Sequence, residues 1–372
     1  MYKLFAIYGQ EVLNGIQLGM GIFEEEGRGK IIELIIRDTE GDPERAAQIV
    51  EDLALKRKAL AIIGPLASKP AVASAKKAQE LGIPIITLTQ KEGITDIGDM
   101  VFRHFLIPHR EVQKIVDKTM NEMGFNRFGI LYPDNSYGRF FMNLFWDQVE
   151  ERGGSITAIE PYKPEQTDFA QEIKRMVGLY YPRPESVKKM LRQMKSLENE
   201  DKMHKMPDSE IEAEPIVDFD AVFIPDSYHQ FALIAPQFPF HNVFNVQFLG
   251  TSLWQDPQLI ETAGDYVQNA IFPSGFYSGS ESEEVISFVN LYRENFEEEP
   301  GVLAATGYDT MRFLNKLLTN NQIKTRKEFL DTLLTFNDFI GVTGEISFDH
   351  HGEVIKAPIL LRVSGKTFEK LN

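Results

Sequence analysis

Short, nearly continuous apolar runs alternate along the chain with segments whose apolar residues recur at helical spacing. The runs are IIELII (31–36), ALAII (59–63), IPIITL (83–88), RFGILY (127–132), SITAI (155–159), DAVFI (220–224) and VQFLG (246–250). Runs of this length without polar alternation predict parallel strands buried on both faces. Between them, Leu13, Ile16, Met20 and Phe23 repeat at i, i+3, i+7, i+10, and Ala46, Ile49, Val50, Leu53 and Ala54 repeat at i, i+3, i+4, i+7, i+8. Both sets predict amphipathic helices. The second opens on Asp42-Pro43-Glu44, which reads as an N-cap, a proline at N1 and an acid in the first turn. Strand–helix alternation of this kind predicts an α/β fold with parallel sheets.

The rhythm breaks between about Gly178 and Val217, where no strand signal occurs. Tyr180-Tyr181-Pro182-Arg183-Pro184 is a stiff break. Val187, Met190, Leu191, Met194 and Leu197 then form a helical apolar stripe, followed by eight acids between Glu198 and Asp218 against Lys202 and Lys205. An inserted surface helix with a solvated acidic tail is expected, with docking of a partner as the sharper alternative. After Ser280 the chain turns helical over 283–296, 303–318 and 326–335. It ends in strand-like pieces at 345–348 and 355–363, split by the turn Asp349-His350-His351-Gly352.

Composition narrows the function classes. The 372 residues suit two to three domains. Lys+Arg is 39 and Asp+Glu is 55, a net charge of −16 that disfavours nucleic acid and anionic membrane surfaces as partners. With no cysteine, disulfides, thiolate nucleophiles, zinc ribbons and Fe–S clusters are excluded. No apolar run approaches the ~20 residues of a membrane span. Catalytic motifs are lacking too. Gly19-Met20-Gly21 sits inside a helical pattern without the third glycine of a dinucleotide loop, and no G-x-S-x-G or H-E-x-x-H occurs. His350-His351 reads as a surface turn. No cofactor, metal or enzymatic activity is expected.

The informative positions are strand exits, where open α/β sheets bind ligands. Ala59–Ile63 runs into Gly64-Pro65-Leu66-Ala67-Ser68 and a helix with Pro70 in its first turn. Ser68 suits a carboxylate at a helix N-terminus, and capping alone accounts for it equally well. The next exit is Thr89-Gln90-Lys91. Later exits carry Tyr137, Asp226 and Trp254. Polar anchors with an aromatic wall suit a small-molecule cleft.

At these residues the chain resembles the type I periplasmic binding proteins of the leucine/isoleucine/valine-binding group. The matching segments are YGQEVLNGIQLG (8–19), RDTEGDPERAAQIVEDL (37–53), AIIGPLASKPAVASAKKAQELGIPIIT (61–87), VFRHF (101–105), GILYPDNSYG (129–138), ATGYDTMRFL (305–314) and GVTGEISFDHHGEVIKAPILLRV (341–363). The resemblance implies two α/β lobes, 1–106 plus 276–341 and 107–272 plus 342–372. Their three hinge crossings fall near Leu106–Pro108, Phe272–Gly275 and Val342–Gly344. It implies a periplasmic, non-enzymatic protein that closes on a small polar ligand such as a branched-chain amino acid and presents it to an ABC permease. Ser68 aligns with the serine that holds the ligand carboxylate, Thr89 and Lys91 lie in the second ligand loop, and Tyr137 aligns with the covering aromatic; where amino-acid binders carry small residues and a threonine, this chain has Gln90-Lys91. Where amino-acid binders carry a carboxylate for the ligand ammonium, near 251–254, this chain has Thr-Ser-Leu-Trp, so Asp226 is the candidate substitute. The TQKEG loop, the inserted helix and IVDFDAVFIPDSY (216–228) resemble the branch of penicillin-binding-protein activators, some of them lipoproteins that contact a cell-wall synthase. That is the alternative function. Family members also begin with a strand ahead of the segment matching YKLFAIYGQ. The resemblance therefore makes residues 2–7 a loop, implies a late start without signal or first strand, and predicts a more stable chain when extended upstream.

Overall fold

The computed structural model describes residues 2–23, 32–198, 214–320, 323–337 and 339–371. Strands β1 (Ile62–Ile63), β2 (Ile85–Thr87), β3 (Val101–Arg103), β4 (Arg127–Pro133), β5 (Ser155–Tyr162), β6 (Ala221–Phe223), β7 (Gln247–Leu249) and β8 (Ile271–Ser274) alternate with helices. Four two-residue strands, β9 (Ile340–Gly341), β10 (Gly344–Glu345), β11 (Ser347–Phe348) and β12 (Val354–Ile355), precede β13 (Ile359–Ser364) and β14 (Thr367–Leu371). The chain divides into two compact units, Met1–Pro108 with Gly275–Pro358 and His109–Ser274 with Ile359–Asn372.

In the first unit β1, β2 and β3 form a parallel sheet, with Ile62 opposite Ile85 and Ile85 opposite Val101. Ile85, Ile86 and Phe102 are buried, as their unbroken apolar run requires. Helix Tyr2–Met20 lies against helix Val302–Asn320. A Cβ on Gly15 would stand 2.0 Å from the Ala304 carbonyl oxygen, and one on Gly307 would stand 2.4 Å from that of Val12. Only glycine at these two positions lets the backbones come this close. Asp42 caps helix Pro43–Glu51 by accepting from the Arg45 N–H at 2.6 Å, as its sequence motif predicts.

The second unit is built on one seven-stranded sheet in the order β14-β13-β8-β7-β6-β4-β5. It is parallel from β5 to β8, and β13 and β14 run antiparallel. Phe128, Phe145 and Phe223 fill its core, the last two stacked at 4.3 Å. The segment expected as an insertion carries helix Glu185–Glu198. The Arg183 guanidinium holds the carbonyls of Gly178 and Glu214, one on each side of it. Most of the acidic stretch, 199–213, lies outside the described residues.

Three expectations are corrected. Residues 2–7 are helical, not a loop, continuous with the apolar period that begins at Leu13. The apolar run 31–36 makes no strand over its described part, 32–36. Ile32 and Leu34 do pack on the core beside Val12 and Ile16, but among the described residues β1 pairs only with β2. Burial is what the pattern encodes, and a ladder also needs a partner. The third change of unit comes at Pro358 and Ile359, after the short strands, rather than near Val342–Gly344. Asp309, on helix Val302–Asn320, accepts the Val342 and Thr343 N–H groups at 2.8 Å each and keeps that stretch with the first unit.

Candidate functional site

In the first unit two strand exits lie side by side. β1 and β2 are paired in parallel, and beyond them the Leu88 N–H donates to the Pro65 carbonyl at 3.3 Å. Ser68 is the first residue of helix Ser68–Leu81. The N-cap is Ala67, and no side chain caps the helix. The capping role expected of Ser68 is therefore absent, and its exposed hydroxyl has no hydrogen-bond partner among the described residues. The first intrahelical bond is Ala71 N–H to Ala67 O, which leaves the Ser68 and Lys69 N–H groups without intrahelical acceptors. Thr89 is buried and accepts the Lys91 N–H at 3.3 Å, tightening the second exit. Gln90 is half-buried. Lys91 is exposed, and its ammonium makes no ion pair among the described residues. A free hydroxyl, two N–H groups at the positive end of a helix and a cation suit an anion such as a carboxylate.

The loop that carries Gln90 and Lys91 is fixed from below by a residue the sequence reading left without a role. Arg103, at the end of β3, is 3 % exposed. It donates to Lys91 O at 2.8 Å and Gln90 O at 3.4 Å, and pairs with Glu353 at 2.8 Å. Glu353 also accepts the Thr95 hydroxyl at 2.9 Å. It follows the turn 349–352, where Asp349 accepts the His351 and Glu353 N–H groups. Both histidines of that turn are exposed. Among the described residues no cluster of His, Asp or Glu suits a metal ion.

In the second unit the exits of β4, β6 and β7 carry the remaining candidates. Tyr137 opens helix Ser136–Glu151, stacks tilted on Phe141 at 4.6 Å and donates to the Thr251 hydroxyl at 3.0 Å. Burial, followed by the nearby charge of Glu111, raises its pKa above the usual tyrosine range. Asp226 accepts the Tyr162 hydroxyl and the Ser227 N–H, each at 2.6 Å, and pairs with no cation among the described residues. Trp254 does not line an open wall. It is fully buried, stacked on Phe231 at 3.6 Å, and a Cβ on Gly250 would collide with its ring at 2.2 Å. An aromatic at a strand exit serves as well to plug the sheet's end as to face a ligand, and here it plugs. Below the same loop, Glu111 of helix Pro108–Asp117 accepts from the Ser252 N–H and hydroxyl, both at 3.1 Å.

Residues 4–179 match the family model for periplasmic binding proteins. The chain resembles this family over that segment, just under half of its length. Its fold recurs in solved structures of such proteins. A putative branched-chain amino acid ABC transporter protein from Rhodospirillum rubrum superposes with a TM-score of 0.80 at 20 % identity, over 98 % of this chain and 96 % of that one. The substrate-binding protein LivJ from Streptococcus pneumoniae, in complex with isoleucine, gives 0.68 at 23 %, over 98 % and 94 %. A solute-binding protein from Rhodopseudomonas palustris, in complex with 3,4-dihydroxy benzoic acid, gives 0.70 at 19 %, over 99 % and 93 %. No protein of curated function matches the sequence. The residues that sequence reading missed are Arg103, Glu353 and Glu111. Each reaches a candidate loop through a contact distant in sequence. The one available signal was a charged residue inside or beside an apolar run, as in Val101-Phe102-Arg103.

Proposed function

We propose that the chain is a non-enzymatic, extracytoplasmic solute-binding protein of the ABC-transporter type, closing by hinge motion on a small carboxylate, with branched-chain amino acids as the first candidates. The observation that carries this reading is the anion-receptive pair of exits in the first unit. There the Ser68 hydroxyl, the Ser68 and Lys69 N–H groups and the Lys91 ammonium are all unspent. Isoleucine and dihydroxybenzoic acid, the ligands in two of the structurally similar proteins, both carry a carboxylate. The carboxylate of Asp226, which pairs with no cation among the described residues, favours a ligand that also brings an ammonium. Export to the periplasm and delivery to a permease follow from the same reading.

Thermal shift and calorimetric titration test it, using L-isoleucine, L-leucine, L-valine and benzoate. A ligand at 100 times its Kd stabilises by about 2.7 kcal/mol through mass action. Replacing Lys91 by alanine removes a charge-assisted contact of about 1.5–3 kcal/mol, on the order of a 10- to 100-fold loss of affinity. Ser68→Ala gives a smaller loss. Tight binding of benzoate alone moves the ligand class to aromatic acids. No shift with any of the four sinks transport of these solutes and leaves the cell-wall regulator as the reading to pursue.

A further inference from the structure

Beneath the ligand end of the second unit's sheet, one buried carboxylate lacks a counter-ion. Glu111 is 1 % exposed, and both its oxygens are taken by Ser252, one by the N–H and one by the hydroxyl. The residues joined in this way are 141 positions apart in sequence. No Lys, Arg or His among the described residues makes an ion pair with it. On its own helix, Arg110 turns to Gln113 and the His109 ring lies against Gln148. The titratable group facing it from helix Ser136–Glu151 is Tyr137, with Asp226 and Tyr162 behind. Its surroundings are thus two phenols and a second acid. The loop it holds, 251–254, is gripped at its other points by neutral contacts, Tyr137 on Thr251 and Phe231 on Trp254.

We propose that Glu111 is a positioning residue: its ionised carboxylate fastens the 251–254 loop in the shape that retains ligand, and taking up a proton loosens that loop and weakens retention. The proposal rests on the solute-binding reading above and adds to it a dependence on acidity. An ionised carboxylate accepts from both Ser252 donors. A neutral one turns one oxygen into a hydroxyl donor, so Ser252 loses an acceptor at a half-buried site. Burial opposes the charge and pushes the Glu111 carboxyl up to about 7, with the two Ser252 donors restraining the rise. A glutamine would fill the same space without a buried charge. The carboxylate burdens the fold and offers in return the stronger hold on Ser252.

The sequence holds two tryptophans, Trp146 and Trp254, so Trp146→Phe leaves Trp254 as the sole reporter on this loop. In that background Trp254 emission is followed from pH 5 to 9. A one-proton transition with a midpoint near 7 is expected with Glu111 present and absent in Glu111→Gln. Ser252→Ala, which removes one donor to the ionised form, moves the midpoint upward and also decides the matter should Glu111→Gln not fold. If ligand is held only by the ionised form, the competent fraction rises about tenfold between pH 6 and pH 8, and L-isoleucine affinity rises with it. In Glu111→Gln the affinity is flat over this range. A Trp254 transition that persists in Glu111→Gln, or a midpoint unmoved in Ser252→Ala, overturns the proposal. A transition that behaves as expected, with no isoleucine bound at either pH, upholds the role of Glu111 in the loop and refutes the amino-acid reading instead.

Discussion

Replacing Arg103 by methionine tests whether the loop that carries Gln90 and Lys91 is held from beneath by charge. The substitution keeps the length and apolar volume of the side chain and removes its guanidinium. Glu353 then loses the cation it pairs with at a position where its side chain is 18 % exposed, and the Lys91 and Gln90 carbonyls lose their donor. Breaking a buried ion pair by deleting one partner costs about 3–5 kcal/mol. Glu353 keeps its bond from Thr95 and some access to water, which puts the expected loss at the low end, about 3 kcal/mol. Adding Glu353→Gln removes the stranded charge and should recover a substantial part. Both tryptophans lie in the second unit, so urea unfolding followed by far-UV circular dichroism and by tryptophan emission separates the two units. The loss should show in the dichroism transition, with the emission transition unmoved where the units unfold separately. An Arg103→Met protein within about 0.5 kcal/mol of wild type, the scale of an ordinary surface change, would refute the claim that this pair fixes the loop.

Gly15→Ala should prevent the native packing of helix Tyr2–Met20, because its methyl would meet the Ala304 carbonyl at 2.0 Å with backbone on both sides; a loss beyond about 3 kcal/mol or failure to fold is expected in a denaturation series. Lys356 supplies a dependence on alkaline pH. Burial lowers its ammonium from 10.5 to about 8, with Asp309 partly opposing, so between these values the unfolded chain binds more protons than the folded one. Stability from this group therefore rises as pH increases from 8 to 10.5, and the difference between Lys356→Met and wild type should shrink over that interval. A difference constant with pH would show that the ammonium is not destabilised by burial.

Where a run is buried on both faces, as in Ile85–Thr87 or Phe128–Leu131, apolar continuity alone marks a strand, and the structure has strands there. Caps were equally plain at Asp42, whose motif is local. Local pattern gave no account of pairing. Residues 32–36 carry the signal of a buried strand and bury Ile32 and Leu34 in part, yet hydrogen bonding depends on what lies alongside. Strand β14 was missed because its TFEKL sequence alternates on an edge, without a continuous run. The ligand candidates could be nominated because strand exits can be read from strand ends. Their supports were not. Arg103 meets Glu353 across 250 residues and Glu111 meets Ser252 across 141, and nothing in the spacing of single residues encodes such meetings. Trp254 illustrates the converse: its position was right and its orientation was not, since composition does not say which way a ring turns.

The guanidinium of Arg183 joins the carbonyls of Gly178 and Glu214, and the Ile216 N–H returns to the Val177 carbonyl at 2.9 Å. The long excursion between them thus leaves and rejoins the body at a single stapled doorway. Its length and composition are thereby uncoupled from the register of the strands on either side. Such a doorway is a natural graft point: a tag or a foreign epitope inserted between its two posts should leave the order of the sheet unchanged.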